Sequence, residues 1–251
     1  MVSGLKTAAS AMDAQQERLA VLANNLANVT AVGFKADHSQ FLQLLTSPRA
    51  AGPVSPTGSA APLPELPGAM RIHTDFSAGP MRETGNPLDL ALEGPGFFVL
   101  RGQGGQRLTR MGTFMRGADG TLTTGDGTPV LGADAQPITL PDRGRITIDE
   151  RGTVSVEGAQ VGALLVVEPQ ALERLTKEGG TRFVVPDDLQ LPPAATTAVR
   201  QGALEGSNVN PVLTLVEMID ALRIYEAAQH AAHGVDDTLK RAVNDVGRPT
   251  A

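Results

Sequence analysis

Three groups of residues have the types and spacing to do chemistry. Glu226, His230 and His233 are four and three residues apart, so on a helix they share one face. A carboxylate and two imidazoles are the beginnings of a zinc site. The set is one ligand short, and the three residues read as solvated helix positions. Gly102-Gln103-Gly104-Gly105-Gln106 is as glycine-rich as a phosphate-cradling loop, but no Lys-Ser/Thr pair follows it. It reads as a hairpin turn. Asp119, Asp126 and Asp134 stand beside or near glycines without the spacing of a calcium loop, so turns are again the expectation. There is no Gly-x-Ser-x-Gly elbow and no His-Glu-x-x-His. The chain holds no cysteine, which removes thiolate nucleophiles, zinc–thiolate sites and disulfides. The expectation is a protein that is not an enzyme, with no catalytic residues, no cofactor and no metal.

Composition narrows the partners. A formal net charge of −6 over 251 residues leaves no basic surplus to displace counterions, so nucleic acid is not an expected partner. Seven Phe, one Tyr and no Trp are too few aromatics for a base-stacking or sugar-stacking platform. The most basic local stretch runs from Arg101 to Arg116 through Arg107 and Arg110; it reads as a solvated face, with an acidic neighbour as the alternative. Apolar runs are short, as at Ala163 to Val167, against the roughly 20 residues of a spanning helix, so no transmembrane segment is expected. The first residues show neither a basic start with an apolar block nor a cleavage site, so an ordinary cleaved signal is not expected.

With chemistry set aside, the elements themselves carry the information. Residues 3 to about 30 read as one helix with Ser3 as N-cap, and Leu5, Met12, Leu19 and Leu26 fall seven apart. Ala8, Gln15, Leu22 and Val29 form a parallel row. Asn24, Asn25 and Asn28 interrupt the end of this helix; they read either as a solvated edge or as amides at a seam that set register and partner choice. Gly33 is expected to close the helix as a left-handed cap, with Phe34 folding back on the last turn.

At the other end, Asn210 and Pro211 have the types of an N-cap and a first helical residue. Val212, Leu215, Val216, Ile219, Leu222 and Tyr225 follow at threes and fours. A seven-residue reading puts Leu215, Leu222 and Gln229 on one row and Met218, Tyr225, Ala232 and Leu239 on the other. Each end is thus half of a seam that needs a partner: the other end, a second copy, or both.

Between the ends, residues 47–68 carry Pro48, Pro53, Pro56, Pro62, Pro64 and Pro67 among Ala, Gly and Ser, which suits an extended segment. From about Arg71 to Gln201 the pattern is β. Leu88 to Leu92 alternates, Phe97 to Leu100 and Leu164 to Val167 read as short buried strands, and a short helix fits Gln170 to Leu175. Turn signals every 8–12 residues suggest an antiparallel sandwich or open barrel. The expected class is α+β: a mostly antiparallel β domain inserted between two long terminal helices that pair as a coiled coil. The expected divisions are an N-terminal helix (1–34), a Pro/Gly-rich extended region (35–70), a β-rich domain (71–204) and a C-terminal helix (205–251).

Three motifs, in order, resemble those of the bacterial flagellar rod and hook proteins. They are Asn25-Leu26-Ala27-Asn28-Val29-Thr30-Ala31-Val32-Gly33-Phe34-Lys35, then Thr84-Gly85-Asn86-Pro87-Leu88-Asp89 with Glu93-Gly94-Pro95-Gly96-Phe97-Phe98, then Gly202-Ala203-Leu204-Glu205-Gly206-Ser207-Asn208-Val209-Asn210-Pro211-Val212. Length and the wording of the third motif look nearest to the proximal rod members, with the distal rod members next. The resemblance implies a structural subunit of the rod, the drive shaft that crosses the periplasm and carries motor torque to the hook. It implies partners among other rod subunits and the flagellar export apparatus, and export through the central channel without a cleaved signal. The family's terminal helices pack together as the inner layer of a tube.

The expected assembly interface comprises Leu5, Met12, Leu19, Leu22, Asn24, Asn25, Leu26, Asn28 and Val29 with Val212, Leu215, Ile219, Leu222 and Tyr225. The positions matching the family motifs are Gly33, Phe34, Gly85, Asn86, Gly96, Phe97, Ser207, Asn208 and Asn210. Two other readings compete with assembly. One is a plain intramolecular helical hairpin. The other is a self-contained β-rich binding module, whose recognition loops would need no terminal seams.

Overall fold

The computed structural model describes residues 2–41, 70–102 and 104–246. The Pro-rich stretch 47–68 lies outside the described residues. These residues make two long helices, α1 (Val2–Ala27) and α2 (Pro211–Val246), with sixteen strands between them in sequence. They group into two compact units. One contains Asn24–Ala36 and Thr74–Thr214; the other contains Met1–Ala23, Asp37–His73 and Leu215–Ala251. The motif around Gly33-Phe34-Lys35 therefore belongs to the β-rich unit.

In that unit one strand serves two cores. β5 (Phe97–Gly102) sends Phe98 and Leu100 into a cluster with Leu90, Leu92, Phe114, Leu122, Val130 and Val199. Its alternate residues Phe97 and Val99 join a second cluster with Leu108, Leu131, Val167, Leu175 and Phe183. Successive side chains of a strand point to opposite faces, so a run that is apolar throughout must be covered on both. β5 sits inside a five-stranded sheet ordered β12 (Val166–Val167), β5, β6 (Gly105–Thr109), β14 (Arg182–Val184), β13 (Thr176–Glu178), antiparallel throughout. β5 and β6 form a hairpin in which Gly102 lies opposite Gly105.

The remaining strands of the unit form short antiparallel ladders. They include β4 (Leu90–Glu93) with β15 (Ala198–Gln201), β3 (Met81–Glu83) with β16 (Ala203–Glu205), and β9 (Ile146–Ile148), β10 (Thr153–Val156) and β11 (Ala159–Ala163) in one sheet. The last pair, β7 (Phe114–Arg116) and β8 (Leu122–Thr124), closes over Asp119-Gly120. The β region is mostly antiparallel, as expected, and its hydrogen bonding is organised as one five-stranded sheet and several short ladders.

Local expectations fare unevenly. Leu90, Ala91 and Leu92 are all buried, so β4 does not alternate. Only Val166 and Val167 of the 164–167 run pair as a strand, and the short helix is a single 3-10 turn at Leu172–Arg174. Asp119, Asp126 and Asp134 do serve turns: their carboxylates accept hydrogen bonds from Thr121 N, the Thr124 and Thr128 hydroxyls, and Gln136 N. Among the described residues no group of three or more His, Asp or Glu could hold a metal. Glu226, His230 and His233 are all exposed. Among the described residues no helix is long and apolar enough to cross a membrane.

α1 starts at Val2, so Ser3 lies inside it and is not its cap. It ends at Ala27 because the bonding tightens: Asn28 N–H is shared between the Asn24 and Asn25 carbonyls, and Val29 N–H reaches Leu26. α2 starts as expected, with Asn210 Oδ1 accepting from Val212 N at 3.1 Å and Leu213 N at 3.2 Å. In the unit that holds most of both helices, β1 (Asp37–Phe41) pairs with β2 (Met70–Thr74).

Two substitutions test this packing. Leu90 N donates to Gly112 O at 3.0 Å, and a Cβ at Gly112 would overlap the Leu90 carbonyl oxygen. Gly112→Ala is expected to destabilise the β-rich unit by about 1–3 kcal/mol in urea denaturation. Asp126 is held well below its ordinary 3.8, first by its hydrogen bond with Arg182 and then by Thr124. A carboxyl depressed in the folded state stabilises above its ordinary pKa and loses that contribution as pH falls below about 3.8. Asp126→Asn should therefore lower the melting temperature at pH 7 and bring it towards wild type by pH 2.5.

Candidate assembly site

Glu205 ends β16 and is only 1% exposed, so its carboxylate has no water to rely on. It is satisfied by two cations and a backbone amide. Lys35 Nζ donates to Glu205 Oε1 at 2.6 Å, Arg110 Nη1 donates to Oε2 at 3.3 Å, and Gly79 N donates to Oε1 at 2.9 Å. Lys35 is itself fully buried and also donates to Ser77 O at 2.6 Å. Arg110, just after β6, reaches Gly94 O at 2.6 Å and lies 5.0 Å above the Phe97 ring. Its Nε has no partner. Burial pushes the Lys35 ammonium and the Arg110 guanidinium below their ordinary values, and Glu205 pulls both the other way. Two cations share one anion, so the cluster carries a formal surplus of one positive charge.

Backbone contacts reinforce this cluster. Gly33 N donates to Glu205 O at 2.8 Å, and Gly33 has φ +68°. A Cβ there would run into the Arg110–Met111 peptide, so only glycine brings the segment this close. Gly33 is left-handed as expected. Its N–H, however, is spent on β16 and not on the end of α1, which corrects its reading as a simple helix cap. Asn208 completes the junction: its Oδ1 accepts from Ala36 N at 2.7 Å and its Nδ2 donates to Asp75 O at 2.9 Å. Phe34 is buried with Ala36 and Val209, with Val29 and Ala31 packed against them. Lys177 Nζ covers the Phe34 ring at 4.4 Å and donates to Lys35 O at 2.7 Å. One knot therefore joins residues 33–36, which follow α1, to residues 205–210, which precede α2.

The motif residues divide between this knot and the cores. Gly33, Phe34 and Asn208 form part of it, and Ser207 beside them accepts from Val209 N at 3.3 Å. Asn210 caps α2. Gly85 (φ +72°) and Asn86 shape a turn in which Asn86 Nδ2 donates to Asp89 Oδ1 at 3.0 Å. Gly96 N donates to Thr197 Oγ1 at 2.9 Å, and Phe97 lies in the second core.

The helix positions are distributed differently. In α1, Leu22 and Asn25 are buried, Met12, Leu19, Leu26, Asn28 and Val29 are half-buried, and Asn24 is exposed. The Leu5 side chain lies outside the described residues. Asn28 Nδ2 donates to Asn24 O at 2.8 Å, a bond within the helix end. In α2 the covered stripe consists of Thr214, Met218, Ala221, Tyr225, Ala228 and Ala232, at alternating fours and threes. The row read as Leu215 and Leu222 is not part of it; both are 45% exposed. With Val212 at 68%, Val216 and Ile219 they form a second apolar face, about 135° round the helix from the covered stripe.

The charges of the knot carry no local signal. Lys35 and Glu205 stand inside the first and third motifs, where spacing alone assigns them no role, and Arg110 lies in a stretch that reads as a solvated face. That last reading is corrected, since Arg110 is 4% exposed. Its neighbours Arg107 and Arg116 pair with Glu178 and Asp142.

Family comparison covers the first and third motifs and the Glu93–Phe98 part of the second, and leaves Thr84–Asp89 outside the matched segments. Residues 5–35 match the family described as flagella basal body rod protein. Residues 91–156 match the flagellar hook protein FlgE/F/G D1 domain, and residues 200–245 match the flagellar basal body rod FlgEFG protein C-terminal family. The flagellar basal-body rod protein FlgF of Caulobacter vibrioides is 30% identical over 93% of this chain and 93% of its own length. The rod protein FlgG of Agrobacterium fabrum is 34% identical over 88% of this chain and 91% of its own. FlgF of Mesorhizobium japonicum is 31% identical over 96% and 98%.

Neutralising the shared anion would leave two buried cations facing each other. Glu205→Gln is expected to cost about 3–5 kcal/mol of unfolding free energy, read from urea midpoints, whereas the exposed Glu226→Gln should change it by less than about 0.5 kcal/mol.

Proposed function

The chain belongs to the flagellar basal-body rod protein family and is a structural subunit of the bacterial flagellar rod, and we propose that it joins its neighbours through its terminal helices to form the axial shaft. The observation that carries this reading is the second face of α2. Val212, Leu215, Val216, Ile219 and Leu222 leave a contiguous strip of large apolar side chains in water on one helix, while another side of the same helix is covered. Burying such a strip is favourable by about 25 cal/mol per Å² of apolar area. A helix with two apolar sides is suited to packing between two neighbours, and heterologous contacts that do not close produce a helical polymer.

In this reading the subunit transmits motor torque to the hook. It crosses the periplasm as part of the rod after delivery by the flagellar export apparatus. Rod subunits, of the same and of neighbouring kinds, are its partners. Relatives named FlgF and FlgG both match over nearly the full chain, and the wording of the 202–212 motif supports the proximal position.

Leu222→Asp tests the reading. Leu222 is exposed in the free chain, so the melting temperature should stay within about 2 °C of wild type while incorporation into purified basal bodies falls at least tenfold. Normal incorporation of a stably folded Leu222→Asp protein would rule out α2 as the joining surface.

A further inference from the structure

We infer that Glu205 is a positioning residue for rod assembly, setting the register between the segment that follows α1 and the segment that leads into α2; this rests on the assembly reading above. Lys35 and Glu205 are 170 residues apart in sequence and meet at 2.6 Å with both side chains buried. Burying an ion pair is a poor way to gain stability, since apolar side chains of similar volume do as well or better. What charges provide is selectivity for one alignment.

The alternatives available to this segment show how strong that selectivity is. A slip of residues 33–36 by one position would put Phe34 or Ala36 against the carboxylate. Glu205 would lose its shortest partner and Lys35 would be buried without one. The same slip would move a side-chain-bearing residue onto the Arg110–Met111 peptide, where only Gly33 fits. It would also break the bond from Ala36 N to Asn208 Oδ1. Both helix roots, 24–27 and 211–214, belong to the unit that holds this cluster. A one-residue shift at a helix root turns the face it presents by about 100°. Apolar faces that must meet a neighbour's cannot tolerate that rotation. Glu205 therefore acts on assembly by fixing where α1 ends and α2 begins, without touching a neighbouring subunit.

The test separates position from stability. Lys35→Met with Glu205→Gln removes one cation and the anion together, so the cluster keeps its surplus of one positive charge. The full-length double variant is co-expressed with wild type, and the share of each in purified basal bodies is normalised to the exported pool. The expected result is at least tenfold less incorporation, with at least tenfold faster exchange of the Gly33 and Ala36 amides and unchanged protection along β5. Glu205→Asp retains the charge and shortens its reach. It serves as the second variant should the double one unfold, with at least a threefold loss expected. Wild-type incorporation of either folded variant, with Leu222→Asp still excluded, would overturn the role of Glu205 alone. Normal incorporation of Leu222→Asp would instead remove the assembly reading, and this inference with it.

Discussion

One carboxylate with no access to water is the constraint on which the rest of the β-rich unit depends. Glu205 must have its oxygens satisfied by protein, and the groups that do so come from three separated places: Gly79, Arg110 and the 33–35 segment, which supplies Lys35 to the carboxylate and Gly33 N–H to the backbone carbonyl. Together with Glu205 itself they span the chain from near its start, through its middle, to its last fifth, so the unit is complete only when the N-terminal motif has docked. This is why residues 24–36 belong with the β strands although the helix they continue is shared with the other unit. A segment that looks like the tail of a helix in sequence is, in energetic terms, part of the β core.

What was legible in the sequence follows from how local each signal is. The Asn210 cap, the hairpin at Gly102–Gly105, the turn aspartates and the buried run Phe97–Leu100 are all decided within a few residues, and all appear. Gly33 was legible as a left-handed glycine but not as a docking point, because its partner is 172 residues away. Arg110 was misread for the same reason. A run of arginines looks solvated until the fold brings a carboxylate and a phenylalanine ring to one of them.

The α2 seam shows a different limit. Periodicity reveals that apolar residues recur at threes and fours, but a helix with two apolar rows gives no sign of which is already covered. The large side chains suggested the Leu215–Leu222 row, while the covered one runs through Thr214, Ala221, Ala228 and Ala232. Small side chains let a neighbouring backbone come close, so a stripe of Ala and Thr can be the better-packed side despite its lower hydrophobicity. The bulky row is left over, and on the proposed joining surface it is where a neighbour would gain most.

The double allegiance of β5 has a mechanical consequence. Its odd residues Phe97 and Val99 are wedged in one cluster and its even residues Phe98 and Leu100 in the other, so neither cluster can shear past the other without dragging the strand that both grip. Close-packed interiors have low compressibility and pass strain on rather than absorb it. In the proposed role the subunit would be loaded in torsion, and a domain made of two loosely joined cores would wind up under that load like a spring. Sharing a central strand makes the two cores a single stiff body, so that angular displacement applied at one side emerges at the other with little lag.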